Sequence, residues 1–137
     1  MRLVVRCDGA SRGNPGEAAA GVMLLDEFGA VVGRVALRLG VMTNNQAEYH
    51  AVLAGMQMAG VLAATELEFR LDSELAVRQL MGDWKIKDAR LRLLAERVLA
   101  AVPPGATASY VHVPRRENVQ ADRLANWALD RTNPDEP

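Results

Sequence analysis

Residues 2–7 (RLVVRC), 18–25 and 30–39 form three β-rich runs in succession, joined by links too short for a crossover. Strands tied so closely must pair antiparallel, since parallel neighbours need a connection of about a dozen residues or more. The first link, residues 10–16 (ASRGNPG), is dense in turn formers, and the second is the turn DEFG. From Asn44 onward the period changes. Residues 46–64 are rich in Ala, Leu, Met and Val without proline and predict a long helix. At 66–71 Leu67, Phe69 and Leu71 alternate with Glu68, Arg70 and Asp72, the pattern of a strand. Ser73 is placed to cap a helix over 74–82, and after the charged link DWKIKD a second amphipathic helix covers 89–102, stopped by Pro103-Pro104-Gly105. A strand at 107–113 and a last helix, capped by Asn118 and running to about Asp130, complete the order β-β-β-α-β-α-α-β-α. Strands separated by helices favour parallel pairing. The expected fold is α/β: a mixed five-stranded sheet, three antiparallel strands followed by two parallel ones, flanked by helices. Residues 1–131 read as one domain and 132–137 as a flexible C-terminal tail.

The chain has 137 residues, enough to bury a core without staples. Its single cysteine, Cys7, excludes an internal disulfide, and no apolar run approaches a signal core or a membrane span. A cytoplasmic home away from membranes is expected. The net charge of −1 gives no general affinity for phosphates, so any basic surface must be local.

Four carboxylates stand at places where helices and strands begin or end. Asp8 ends the first β-run before a glycine-rich turn, where an ordinary turn aspartate would also fit. Glu48 shares a helix face with Ala51, Val52, Gly55 and Ala59, a small apolar face suited to lie on a sheet. A glutamate there is partly desolvated, which is costly without compensation; the helix N-terminal dipole supplies part of it. Asp72 closes a strand just before a helix cap, and Asp122 lies in the first turns of the last helix, where an acid is electrostatically welcome in any case. If the first strand and the strand ending at Leu71 are neighbours, Asp8 and Asp72 meet at one sheet edge, and both helix starts can reach it. Four such groups repel and raise one another's pKa unless cations neutralise them. An oxygen-only ligand set suits Mg²⁺ or Mn²⁺, and two such ions about 3.5–4 Å apart form a clamp for in-line phosphoryl displacement.

The segments CDGASRGNPG (7–16), TNNQAEYHAVLAG (43–55), LDSELAVRQL (71–80) and RENVQADRLAN (116–126) resemble, in order, the four signature stretches of type 1 ribonuclease H. The resemblance covers essentially the whole chain. It implies a ribonuclease H-like fold and an endonuclease cutting the RNA strand of RNA–DNA hybrids, giving 3′-hydroxyl and 5′-phosphate ends. Asp8, Glu48, Asp72 and Asp122 would be the catalytic, metal-binding carboxylates, served by two Mg²⁺ ions with Mn²⁺ as a substitute. Asn14, Asn44 and either Asn45 or Gln46 would read 2′-hydroxyls, an amide being able both to donate and to accept. Thr43 resembles a position that holds a DNA-strand phosphate. A monomer with no obligatory protein partner is expected.

Two departures from that pattern stand out. The family's loop histidine before the last acid is missing from VPRRENVQAD, where Arg115 or Arg116 can pair a phosphate instead. His112 lies in an alternating strand and reads as structural, and His50, on another face from Glu48, reads as solvent-facing. The basic helical insertion of some members is reduced to GDWKIKDARLR, a compact form, whose Trp84, Lys85, Lys87, Arg90 and Arg92 make the local basic patch. With no separate hybrid-binding domain in the sequence, modest affinity is expected. A noncatalytic binding domain, and another nuclease of the same fold such as a resolvase or exonuclease, are the alternatives. The intact acids argue against the first and the asparagine-rich GNPG and TNNQ against the second.

Overall fold

The computed structural model describes residues 1–131; the tail expected at 132–137 lies outside the described residues. The elements are β1 (Arg2–Gly13), β2 (Gly16–Leu25), β3 (Val31–Met42), α1 (Asn44–Val61), β4 (Glu66–Leu71), α2 (Glu74–Leu80), α3 (Ala89–Ala100), β5 (Thr107–His112), a 3₁₀ turn (Arg115–Glu117) and α4 (Val119–Asp130). They form a five-stranded sheet in the order β3-β2-β1-β4-β5. The first three strands pair antiparallel, while β4 and β5 join parallel to β1 and to each other, as the sequence order requires. No helix among the described residues is long and apolar enough to cross a membrane.

The two faces of the sheet are covered unequally. Leu3, Val5 and Cys7 of β1, with Val22, Leu24, Leu67, Phe69 and Leu71, point to one side and pack under α1 and α3 in the main core. Phe69 and Tyr110 stack there with ring centroids 5.5 Å apart, a pairing that adds about 0.5–1.5 kcal/mol beyond area burial. On the other side, Ala19 packs with Ala125, Ala128 and Leu129 of α4 in a smaller cluster. Strand alternation puts Asp8 and Ala10 on this α4 face.

Several boundaries differ from the sequence reading. β1 does not stop at Asp8-Gly9 but continues to Gly13, pairing with β2 through Gly13↔Gly16, so most of the expected link is strand. Cross-strand pairing along the full length of β2 overrides the local turn propensity of ASRG. Asp8 is therefore a mid-strand residue. It lies just beyond Arg6↔Arg70, where the parallel pairing with β4 ends. α1 begins at Asn44, two residues earlier than expected, because Thr43 and Gln46 form a capping box. Such a cap is worth about 1 kcal/mol. α2 ends at Leu80, and the 3₁₀ turn before α4 was not foreseen. Asn118 precedes α4 but gives it no side-chain cap; fully buried, it donates from Nδ2 to the carbonyl of Cys7 at 2.7 Å.

Candidate active site

Two glycines bring two helices onto the central strand. A Cβ on Gly9 of β1 would lie 2.2 Å from the carbonyl carbon of Ala47, so only a bare backbone lets the first turn of α1 settle there. That contact delivers Glu48, whose Oε1 accepts from the Gly9 N–H at 3.0 Å. Gly21 of β2, the register partner of Asp8, does the same for α4: its Cβ would stand 2.0 Å from the Ala121 carbonyl oxygen. The neighbouring residue Asp122 is thereby brought close enough to the Asp8 carboxyl to raise its pKa. Asp72 arrives directly after the end of β4, two residues past Arg70.

Asp8, Glu48 and Asp72 each offer a carboxylate oxygen, and these atoms lie within 4.8 Å of one another. Asp122 is not one of these three, but it stands close enough to raise the pKa of both Asp8 and Asp72. Asp8 and Glu48 are buried, at 5% and 7% exposure, and Asp72 is half-buried. Burial first, then the charge of Glu48, pushes the Asp8 carboxyl far above its ordinary range. Burial also raises Glu48, opposed by the Gly9 hydrogen bond. Asp72 is raised by burial as well, and Arg115 beside it pulls the other way. The Arg115 Nε stands 3.9 Å from Asp72 Oδ2, on a side chain 91% exposed and free to swing.

Glu48 Oε2 is buried and has no hydrogen-bond partner. An unpaired buried carboxylate oxygen is costly, and here it sits among two further carboxylates. A hard divalent cation fits that set: oxygen donors only, negative charge in excess, and one orphaned lone-pair site. The described residues offer no cysteine or histidine ligand in the group.

The residues expected along a nucleic acid fall into two sets. Asn14 and Asn44 lock the β1–β2 hairpin to α1. The Asn44 N–H donates to Asn14 Oδ1 at 3.1 Å, and Asn44 Oδ1 accepts from the Ser11 N–H at 2.9 Å. Thr43, Asn45 and Gln46 line a pocket of about 440 Å³ together with Asp88, Ala89, Arg90 and Leu91 at the start of α3. Gln46 Oε1 is taken by the Thr43 N–H at 2.9 Å, which leaves only its NH₂ group available. Arg90 in this pocket was seen in the sequence only as one cation of a patch. Its convergence with Thr43 depends on α3 packing against α1, which no local motif announces.

Trp84, Lys85 and Lys87 lie on the exposed link between α2 and α3. Trp84 is 44% exposed, with the Arg78 guanidinium 6.0 Å from its ring. The link is held to α1 through Gln79, which accepts from the Tyr49 hydroxyl at 2.7 Å and donates to the Lys85 carbonyl at 3.4 Å.

Both histidines differ from expectation. His112 is exposed at the end of the edge strand β5 and close enough to Asp72 to lower its pKa, rather than packed as a structural residue. His50 is half-buried, and burial and Arg97 lower its pKa, so it faces α3 and not open solvent.

Residues 6–128 match the reverse transcriptase-like family. The curated ribonuclease HI of Halobacterium salinarum is 43% identical over 123 residues, which are 90% of this chain and 62% of that protein. The chain thus spans less than two thirds of this curated relative. The crystal structure of RNase H1 from Halobacterium salinarum superposes with a TM-score of 0.91 at 42% identity, covering 95% of this chain and 98% of that one. LC11-RNase H1, solved in complex with an RNA/DNA hybrid, superposes with a TM-score of 0.88 at 34% identity, covering 93% and 96%. With the mixed sheet and the signature segments in agreement, this chain belongs to the reverse transcriptase-like family and, within it, to the type 1 ribonucleases H.

Proposed function

We propose that this chain is an endoribonuclease hydrolysing the RNA strand of RNA–DNA hybrids to leave 3′-hydroxyl and 5′-phosphate ends. The observation that carries this reading is the meeting of Asp8, Glu48 and Asp72 within 4.8 Å, with Glu48 Oε2 orphaned among them. Similarity to LC11-RNase H1, whose structure holds an RNA/DNA hybrid, supports the substrate.

Asp8, Glu48, Asp72 and Asp122 would hold two Mg²⁺ ions, with Mn²⁺ as a substitute. Such ions, when bound, supply an activated water and screen the charge that develops on the phosphate. The protein's own groups prepare the place. The Gly9 N–H fixes one oxygen of Glu48 and leaves the other for a ligand. Burial of Asp8 keeps bulk water from dispersing the charge. Arg115, exposed and loosely paired to Asp72, offers a guanidinium to a phosphate oxygen in place of the family's loop histidine.

Asn14 and Asn44 spend their carbonyl oxygens on the protein and keep their NH₂ groups for a 2′-hydroxyl. Asn45, exposed beside them, serves the same strand, with the free NH₂ of Gln46 next to it. Thr43 and Arg90 in the shared pocket suit a DNA-strand phosphate, and Trp84, Lys85 and Lys87 extend that contact. The three clustered carboxylates all come from one chain, which supports action as a monomer without an obligatory protein partner. The lone, buried Cys7 suits the cytoplasm.

A gel assay with labelled hybrid, duplex RNA and duplex DNA, each with Mg²⁺, Mn²⁺ or EDTA, tests this. Cutting confined to the RNA of the hybrid and abolished by EDTA is expected. Equal cutting of hybrid and duplex DNA would replace the reading with that of a general nuclease.

A further inference from the structure

A second cluster of charge lies on the sheet face that carries α4. Arg6 and Arg70 are register partners on the parallel strands β1 and β4, so their side chains emerge side by side. Arg6 precedes Asp8 by two residues on the same strand, and Arg70 precedes Asp72 by two. Their Cα atoms therefore lie about 7 Å down the strands from those of Asp8 and Asp72. Arg116 of the 3₁₀ turn joins them, and together with Glu117, Val119 and Gln120 they line a pocket of about 230 Å³.

Like charges directly opposite on neighbouring strands destabilise a sheet. The described residues relieve this pair incompletely. Arg70 Nε meets Glu68 Oε2 at 2.8 Å, but Glu68 is shared with Arg2 at 3.7 Å. Arg6 donates to the Glu117 carbonyl, a neutral acceptor. Arg116 has no ion pair among the described residues. The lining holds one acidic residue, the exposed Glu117, against three arginines. The wall adds donors: the first-turn N–H groups of α4, on Val119 and Gln120, lack an intrahelical acceptor, and Asn118 supplies no side-chain cap. Arg6 and Arg70 are half-buried, so their charges are screened less than surface charges are.

We propose that the pocket formed by Arg6, Arg70, Arg116 and the start of α4 is a binding site for a phosphate group, distinct from the catalytic carboxylates. Three guanidiniums in one recess match the oxygens of a phosphate, which accept paired N–H bonds where a carbonyl can take only one or two. The site stands whether or not the chain cleaves hybrids, because it rests on groups outside the acidic cluster. The phosphate can come from a free nucleotide or from the backbone of a bound strand.

The test uses the full chain in EDTA, where the acidic cluster repels anions and cannot itself hold phosphate. Inorganic phosphate is titrated at constant ionic strength while the backbone amides of Val119 and Gln120 are followed by ¹H–¹⁵N spectra. Saturable shifts are expected at those amides, weakened at least about tenfold in Arg6→Gln/Arg70→Gln, as loss of charge-assisted bonds does. Arg116→Ala, on an exposed side chain, gives a second reading if the double variant unfolds. Absence of saturation, or equal affinity in wild type and in a folded variant, overturns the proposal. Two further arms separate the sources. Tighter binding of 5′-AMP than of phosphate, with hybrid KM unchanged in the variants, assigns the site to a free nucleotide. A raised hybrid KM at unchanged kcat assigns it to the strand backbone.

Discussion

The N–H of Gly9 and Oε1 of Glu48 are joined by a 3.0 Å hydrogen bond that crosses from the central strand to the first turn of α1. It sets the spacing of Asp8 and Glu48, because Gly9 is the residue next to Asp8. Gly9→Ala would force a methyl to within 2.2 Å of the Ala47 carbonyl carbon. Overpacking of this kind costs about 1–3 kcal/mol, more where backbone rather than side chain must yield. A lowered thermal midpoint together with weaker divalent-cation binding by calorimetry is expected. Gly21→Ala should act in the same way through α4 and Asp122.

Removing one acid should stabilise the metal-free protein. Asp8, raised from its ordinary value of 3.8, keeps its proton in the native state at pH values where the unfolded chain has lost it. The native state then binds more protons, so stability falls as pH rises above about 4. Glu48 and Asp72 shift in the same direction and steepen the slope. Asp8→Asn should flatten the fall of Tm with pH in EDTA and raise Tm at pH 8 by roughly 3 °C or more, as about 1 kcal/mol does in a domain of this size. It should also abolish hybrid cleavage. Full Mg²⁺-dependent activity in this variant would remove Asp8 from the chemistry.

Arg115 lowers the pKa of Asp72, so Arg115→Ala should let it rise. The acidic limb of the pH–activity profile should move to higher pH and turnover should drop. An unchanged profile with unchanged turnover would dismiss the proposed role of the guanidinium.

Lys85→Ala and Lys87→Ala should each raise KM for the hybrid, leave kcat nearly unchanged and reduce the slope of log K against log salt by about 1. A slope that does not move would take the α2–α3 link out of the DNA-strand contact.

Asn14→Ala leaves the Asn44 N–H without its acceptor. A stability loss of about 1 kcal/mol is expected from the broken bond. Discrimination between hybrid and duplex DNA should fall as well, measured as the ratio of kcat/KM for the two.

Element order and sheet type were legible because period and link length determine them: short links after residues 7 and 25 require antiparallel pairing, and helical spacers allow parallel pairing. The meeting of Asp8, Glu48 and Asp72 was legible in part, since Glu48 opens a helix and Asp72 follows a strand end, but Asp8 meets them from the middle of the central strand, at the level where pairing with β4 stops. What the residues did not reveal depends on tertiary contact. ASRG reads as turn but is strand, because β2 pairs with it throughout. Asn118 reads as a helix cap but spends its amide on the Cys7 carbonyl, a partner 111 positions away. Arg90 joined Thr43 only once α3 was folded against α1.

The strand that carries Asp8 is the middle one of five, hydrogen-bonded on both sides up to Arg6 and covered by helices on both faces. Backbone amides so placed exchange with solvent only when the whole domain opens, whereas loops exchange through local fraying. Amides of residues 4–6 should therefore report the global unfolding free energy, and those of the link at 82–88 should exchange orders of magnitude sooner. Asp8, two residues beyond Arg6, is thereby anchored next to the segment expected to open last, whereas Trp84 and its lysines sit on the segment expected to open first.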